Sequence, residues 1–252
     1  MNALIRILSL PAQLLSRVPG LGPFVKVLST TVGQKILMAL TGLSLCGFLV
    51  AHLAGNVKLY AGEQAFNDYA HTLHGLGPLL AAAETGLFAI LVLHVGLAFS
   101  TAAMNKVARQ KEYAVKETKQ GLFILPDGGA SNWMMLTGLI ILVFLITHIL
   151  DMKLKMNPGV DYSAAMSAGK IVDNEFHAAR IVLSTPLNAA IYMVGLVALG
   201  IHLSHGVRSA LHTLGINHKR WNVLLKIGGI LFAWAVAIGF MSLVVWAMSY
   251  KS

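Results

Sequence analysis

Four of the ten histidines in this 252-residue chain stand where an ionisable side chain is least expected. His52, His94, His148 and His202 each lie inside a long apolar stretch, and His205 follows the last of them closely. Groups of this kind are costly in an apolar stretch and as a rule carry function. One imidazole alone is readily satisfied by a backbone carbonyl; four on four separate stretches form a pattern. Two neutral imidazoles facing each other suit iron, and a flat macrocycle gripped between helices suits an apolar interior. Zinc is a poor competitor, because it takes three or four ligands at one level. The single cysteine, Cys46, excludes a disulfide framework, a thiolate zinc site and a cysteine-held iron–sulfur cluster.

The elements that must position these histidines follow from composition. Charged residues make up 12% of the chain and hydrophobic ones 56%, too few charges to cover a water-soluble globule of this size. Five stretches, near 33–55, 79–104, 132–152, 187–211 and 223–249, reach the roughly 20 helical residues that cross a bilayer core. They lack the alternation of a lipid-facing barrel. The fold class expected is all-α: a bundle of five transmembrane helices forming one domain over 31–250. Before it stands an N-terminal segment, 1–30, whose leucines set against Arg6, Gln13 and Arg17 read as an interfacial helix better than as a signal peptide. With the N-terminus inside, 13 lysines and arginines fall on the inner side and 6 on the outer, which favours a cytoplasmic N-terminus and an outer C-terminus.

This orientation sorts the histidines by depth. Spans one and three run outward and carry His52 and His148 late, toward the outer leaflet. Spans two and four run inward and carry His94 and His202 late, toward the inner leaflet. Two pairs at two depths result. Ten residues separate Glu84 from His94, roughly 15 Å along a helix, so a bilayer has room for two stacked haems. An internal echo accompanies the outer pair. Leu40-Thr41-Gly42-Leu43 leads to Phe48-Leu49 and His52, and Leu136-Thr137-Gly138-Leu139 leads to Phe144-Leu145 and His148 at the same spacing. Both helices can thus present one face to a shared ligand. Gly42 and Gly138 fall at the depth of the inner pair, where they would leave clearance for the second porphyrin; plain helix packing by small residues is the other reading.

Several further pieces carry a resemblance. They are Gly33-Gln34-Lys35, His52-Leu53-Ala54-Gly55-Asn56, Phe66-Asn67-Asp68-Tyr69-Ala70-His71, Asn132-Trp133, His202-Leu203-Ser204-His205-Gly206 and Leu214-Gly215. With these, most of 30–245 resembles the single-subunit di-haem cytochrome b anchor of succinate:quinone oxidoreductases, the succinate dehydrogenase and fumarate reductase complexes. The resemblance implies two b haems, the distal one held by His52 and His148 and the proximal one by His94 and His202, with His205 as the alternative to His202. It implies a flavoprotein and an iron–sulfur subunit on the cytoplasmic face, membrane lipid around the bundle, and a quinone, usually menaquinone. The location implied is the cytoplasmic membrane of a prokaryote. Electrons would pass between the iron–sulfur subunit and quinone, in either direction. No flavin or dinucleotide fingerprint stands in the chain, so the dicarboxylate chemistry belongs to a partner.

Quinone reduction consumes protons. Glu84 is the one acid well inside a span, and a buried carboxylic acid near the outer haem suits a proton relay. Glu63, Asp68, His71 and His74 are further candidates near the outer surface. Some di-haem fumarate reductases place an acid two residues before the fourth ligand; Gly200 stands there, so no such transmembrane path is expected. Haem propionates call for cationic or hydrogen-bonding partners, and Lys35, Arg208, Ser209 and His212 lie near the inner end. The outer segment 156–185 reads as a short lid. Two other readings stay open: the cytochrome b anchor of a hydrogenase or formate dehydrogenase, and a haem-free, proton-linked transporter that uses its histidines as a relay.

Overall fold

The structure is a computed structural model that describes residues 22–23, 30–108, 130–160, 162, 166–167, 170–171 and 174–250. The interfacial helix expected within 1–28 and the basic run after Lys106 lie outside the residues so described. Among the described residues seven α-helices stand: α1 Thr31–Asn56, α2 Glu63–His74, α3 Pro78–Ala108, α4 Ala130–His148, α5 Glu175–Ser184, α6 Pro186–Thr213 and α7 Asn222–Ser249. Five of them (α1, α3, α4, α6 and α7) are long and apolar enough to cross a membrane. A two-residue antiparallel ladder, Met166–Ser167 with Lys170–Ile171, lies in the connection before α5. Inner and outer are used below in the sense of the orientation given above.

Local chemistry sets the ends of these helices. Thr30 caps α1, its hydroxyl accepting from the Gly33 amide at 3.0 Å. Pro186 opens α6, at a position where a missing amide proton costs nothing. Beyond His148 the chain widens into a π turn, Ile149–Lys153, with Leu154 donating to the Ile149 carbonyl. Turns of this kind concentrate at functional sites. This one carries Asp151 inward until it is 2% exposed.

The bundle divides into two halves. α3 packs chiefly on α1, and α4 packs on α6; α1 also meets α6 along the centre, while α7 closes against α6. Between α1 and α4, and between α3 and α6, backbone contact is slight at most. The Leu-Thr-Gly-Leu echo thus corresponds to an architectural one, since α1 and α4 occupy equivalent places in the two halves.

Over the outer end lies a cap. Phe176 and Val182 of α5 are buried with Phe66 of α2 and Leu59, and Trp246 of α7 meets Phe176 edge to face. The connection expected to be a lid therefore contains a core helix, α5, bound into the bundle. Polar contacts fix it to α2. Asn67 donates to Asn174, Asn174 donates to Glu63, and the Phe176 amide donates to Asn67.

Candidate functional site

His52 on α1 and His148 on α4 come together across the gap between the halves. Their ring centroids lie 5.8 Å apart with planes at 86°. Metal–imidazole bonds of about 2 Å on either side of an ion put two ligand rings at a separation of this order. The Nδ1 atom of His148 is buried and has no protein partner. Phe48, Phe144, Phe240 and Tyr192 ring the pair. Among the described residues no three His, Cys, Asp or Glu side chains converge as a metal site would require.

The second pair spans the other gap. His94 stands on α3 and His202 on α6, with His205 three residues further along the same helix. Each ring is held from within its own half. Thr41 Oγ1 on α1 is 3.0 Å from His94 Nδ1, and Thr137 Oγ1 on α4 is 3.1 Å from His202 Nδ1. A Cβ added at Gly42 would fall 3.2 Å from His94 Cε1, and one at Gly138 would fall 3.5 Å from His202 Cε1. Clearance at the two glycines is thus taken up by the imidazoles, where the sequence had suggested the face of a porphyrin.

Glu84 differs from expectation. Its side chain is 45% exposed and pairs with Lys153 at the end of the π turn, at 2.5 Å. The isolated buried acid is replaced by an ion pair that ties α3 to the end of α4. The physical reason is reach: Lys153 sits at the same outer level, and its flexible stem brings the ammonium to the carboxylate.

The deeply buried acid is Asp151, one turn beyond His148. Asn157 Nδ2 donates to its carboxylate at 2.6 Å and to Asn188 Oδ1 at 3.3 Å. The Tyr162 hydroxyl donates to the Asp151 carbonyl at 3.0 Å; burial, then the neighbouring carboxylate, push that phenol above its usual value. Tyr192 touches both His148 and Phe144, and its hydroxyl is buried without a hydrogen-bond partner among the described residues. Sequence reasoning passed over Asp151 because it stands at the edge of the third span. An acid three residues after a span histidine, on the same helical face, was the available signal.

The remaining candidates divide by location. Arg208, His205, Ser209, His212 and Thr213 line a cleft of 270 Å³ at the inner end of α6. Arg208 Nε and His212 Nε2 are buried there without a partner, donors suited to an anion. Lys35 is exposed on the first turns of α1. His71, His74 and Asp68 are exposed on α2. Glu63 serves the cap, accepting from Asn174 and lying 3.4 Å from His177 Nε2.

Among proteins of known name, this chain is similar to the succinate dehydrogenase cytochrome b558 subunit of Bacillus subtilis (strain 168). The two are 28% identical over 171 residues, which cover 67% of this chain and 72% of that protein. No protein-family profile matches the chain, and no solved structure matches it. The relative's name agrees in kind with the resemblance drawn from the histidine pattern. At this identity the similarity supports the family without fixing any residue's role.

Proposed function

We propose that this chain is the membrane-anchoring cytochrome b subunit of a succinate:quinone oxidoreductase, with two b haems. The observation that carries the reading is the approach of His52 to His148 across the two halves, with His94 and His202 each seated on the threonine of a Leu-Thr-Gly-Leu run, on helices long and apolar enough to span a membrane. The relative named as a succinate dehydrogenase cytochrome b558 subunit supports it. The donor set fits the group: paired imidazoles, a wall of aromatic rings at the outer level, and unpartnered cationic donors at the inner end.

In this reading His52 and His148 hold the outer haem, and His94 and His202 hold the inner one. Haem, when bound, supplies one-electron transfer. Arg208, with His212 and Ser209, receives the inner propionates, and Lys35 stands on the same side. Glu84 and Asp151 are the two carboxyls near the outer pair that can hold a proton for quinone, menaquinone by resemblance. Asp151 is buried, and Glu84 is half-exposed beside Lys153. A flavoprotein and an iron–sulfur subunit dock on the inner, cytoplasmic face of a prokaryotic membrane, and the dicarboxylate is handled there.

The test is an optical spectrum with pyridine haemochrome quantification on the purified complex. Two low-spin b haems per chain are expected, with a flavin-carrying partner co-purifying. His52→Ala and His148→Ala should remove the same haem, and His94→Ala should spare it. A colourless protein, or loss of one centre by both His52 and His94 variants, would overturn the assignment.

A further inference from the structure

The inner pair differs from the outer in how its rings are held, and the difference is written twice. Thr41 and Thr137 occupy the same place in the Leu-Thr-Gly-Leu echo, and both are buried, at 7% and 2% exposure. Each hydroxyl has one proton to give. Thr41 Oγ1 donates to the Leu37 carbonyl at 2.8 Å, with the Met38 carbonyl at 3.1 Å. Thr137 Oγ1 donates to the Trp133 carbonyl at 2.8 Å, with the Met134 carbonyl at 3.2 Å. With the proton committed to the helix backbone, what each oxygen offers its histidine is a lone pair.

The geometry points to Thr41 and Thr137 as positioning residues that set the tautomer and the ring orientation of His94 and His202. A neutral imidazole with Nδ1–H directed at the threonine oxygen leaves the Nε2 lone pair facing across the gap. That nitrogen is the one a bis-histidine iron site needs. The chain of donors runs in one direction, from imidazole N–H to hydroxyl to backbone carbonyl, and the Met38 and Met134 carbonyls stand beside His94 and His202 as further acceptors. The adjacent glycine completes the seat. At Gly42 a methyl group would press on His94 Cε1, so threonine and glycine together fix where the ring can lie. Partners of this kind on the far nitrogen orient metal-bound histidines generally. Among the described residues the outer pair shows no such hydroxyl: His148 Nδ1 has no partner, and His52 Nδ1 lies 3.4 Å from Asn56 Nδ2.

The inference rests on the two-haem reading, and the experiment separates the two. Thr41→Val and Thr137→Val remove the hydroxyl and keep the branched shape; Thr41→Ser and Thr137→Ser restore it. Haem content, the electron paramagnetic resonance signal of each low-spin centre and its midpoint potential are measured on the membrane-bound complex. Both valine variants should perturb one and the same centre, the one lost in His94→Ala, with haem retained roughly 10–100-fold more weakly there. Its resonance should shift, the other centre should stay unchanged, and the serine variants should return both properties. Unaltered signals in Thr41→Val and Thr137→Val, or a change confined to the centre lost in His52→Ala, would overturn the role of the threonines. Should one valine variant fail to accumulate, the other decides, because each half carries its own threonine. A wild-type preparation without haem would instead refute the two-haem reading itself.

Discussion

Gly42 and Gly138 hold equivalent positions in the echo, yet a methyl group should be felt differently at each. At Gly42 the added carbon would sit 3.2 Å from His94 Cε1, tighter than ordinary contact, against a ring already held by Thr41. At Gly138 the corresponding distance is 3.5 Å, an ordinary van der Waals contact. Gly42→Ala is therefore expected to disturb the inner pair, lowering haem content or shifting one resonance, while Gly138→Ala stays near wild type. Quantifying haem in both variants checks the order, and the reverse order would contradict the geometry. The spacing of these residues was legible in the sequence; what they face was not. A helix that is apolar on every side gives no periodic signal of its rotation, so nothing in the pattern distinguished an imidazole from a macrocycle as the neighbour of Gly42. The same limit hid the threonines, whose repeat was visible but whose partners stand 53 and 65 residues away.

Helices α4 and α6 approach so closely that one glycine decides their spacing. A Cβ on Gly195 would fall 2.4 Å from Phe144 Cγ and 2.7 Å from Phe144 Cβ, near the stem of the ring where rotation gives little relief. Phe144 in turn packs on His148 and on Tyr192, with centroids 5.8 and 5.1 Å apart. Gly195→Ala should push α4 from α6, destabilise the bundle by about 1–3 kcal/mol, and act on the outer centre before the inner one. Thermal unfolding in detergent and the ratio of the two haem signals would read both effects; an unchanged melting temperature with both signals intact would contradict the packing. The spans themselves were legible to within a few residues, since about 20 apolar residues in a row admit few alternatives. The cap was not. α2 and α5 are short and mixed in character, and the contact that fixes them, Asn67 to Asn174, joins residues 107 apart with no local cue. Asp151 was misjudged for a related reason: the π turn, which hydropathy does not reveal, carries an edge residue into the interior.

Charge divides the whole molecule more sharply than the lysines and arginines alone indicate. With five crossings, the segments assigned to the inner side hold thirteen basic residues and three acidic ones, Glu112, Glu117 and Asp127, for a net +10. Those assigned to the outer side hold six basic and seven acidic residues, for a net −1. The structure adds that two of the outer lysines are engaged, Lys153 with Glu84 and Lys155 with Glu175. Their charge is largely neutralised where it stands, whereas Arg208 at the inner end keeps an unpartnered Nε. Retention on the cytoplasmic side follows the lysines and arginines themselves, acidic residues counting little, so thirteen against six carries the bias toward an inner N-terminus. The prediction is a topology. A reporter fused after Ser252 should be active only outside the cytoplasm, and one inserted at position 120 only inside it. The inverse pattern would exchange the depths of the two histidine pairs, leave their partners within the bundle unchanged, and move the docking face proposed above from the Arg208 end to the α2–α5 cap.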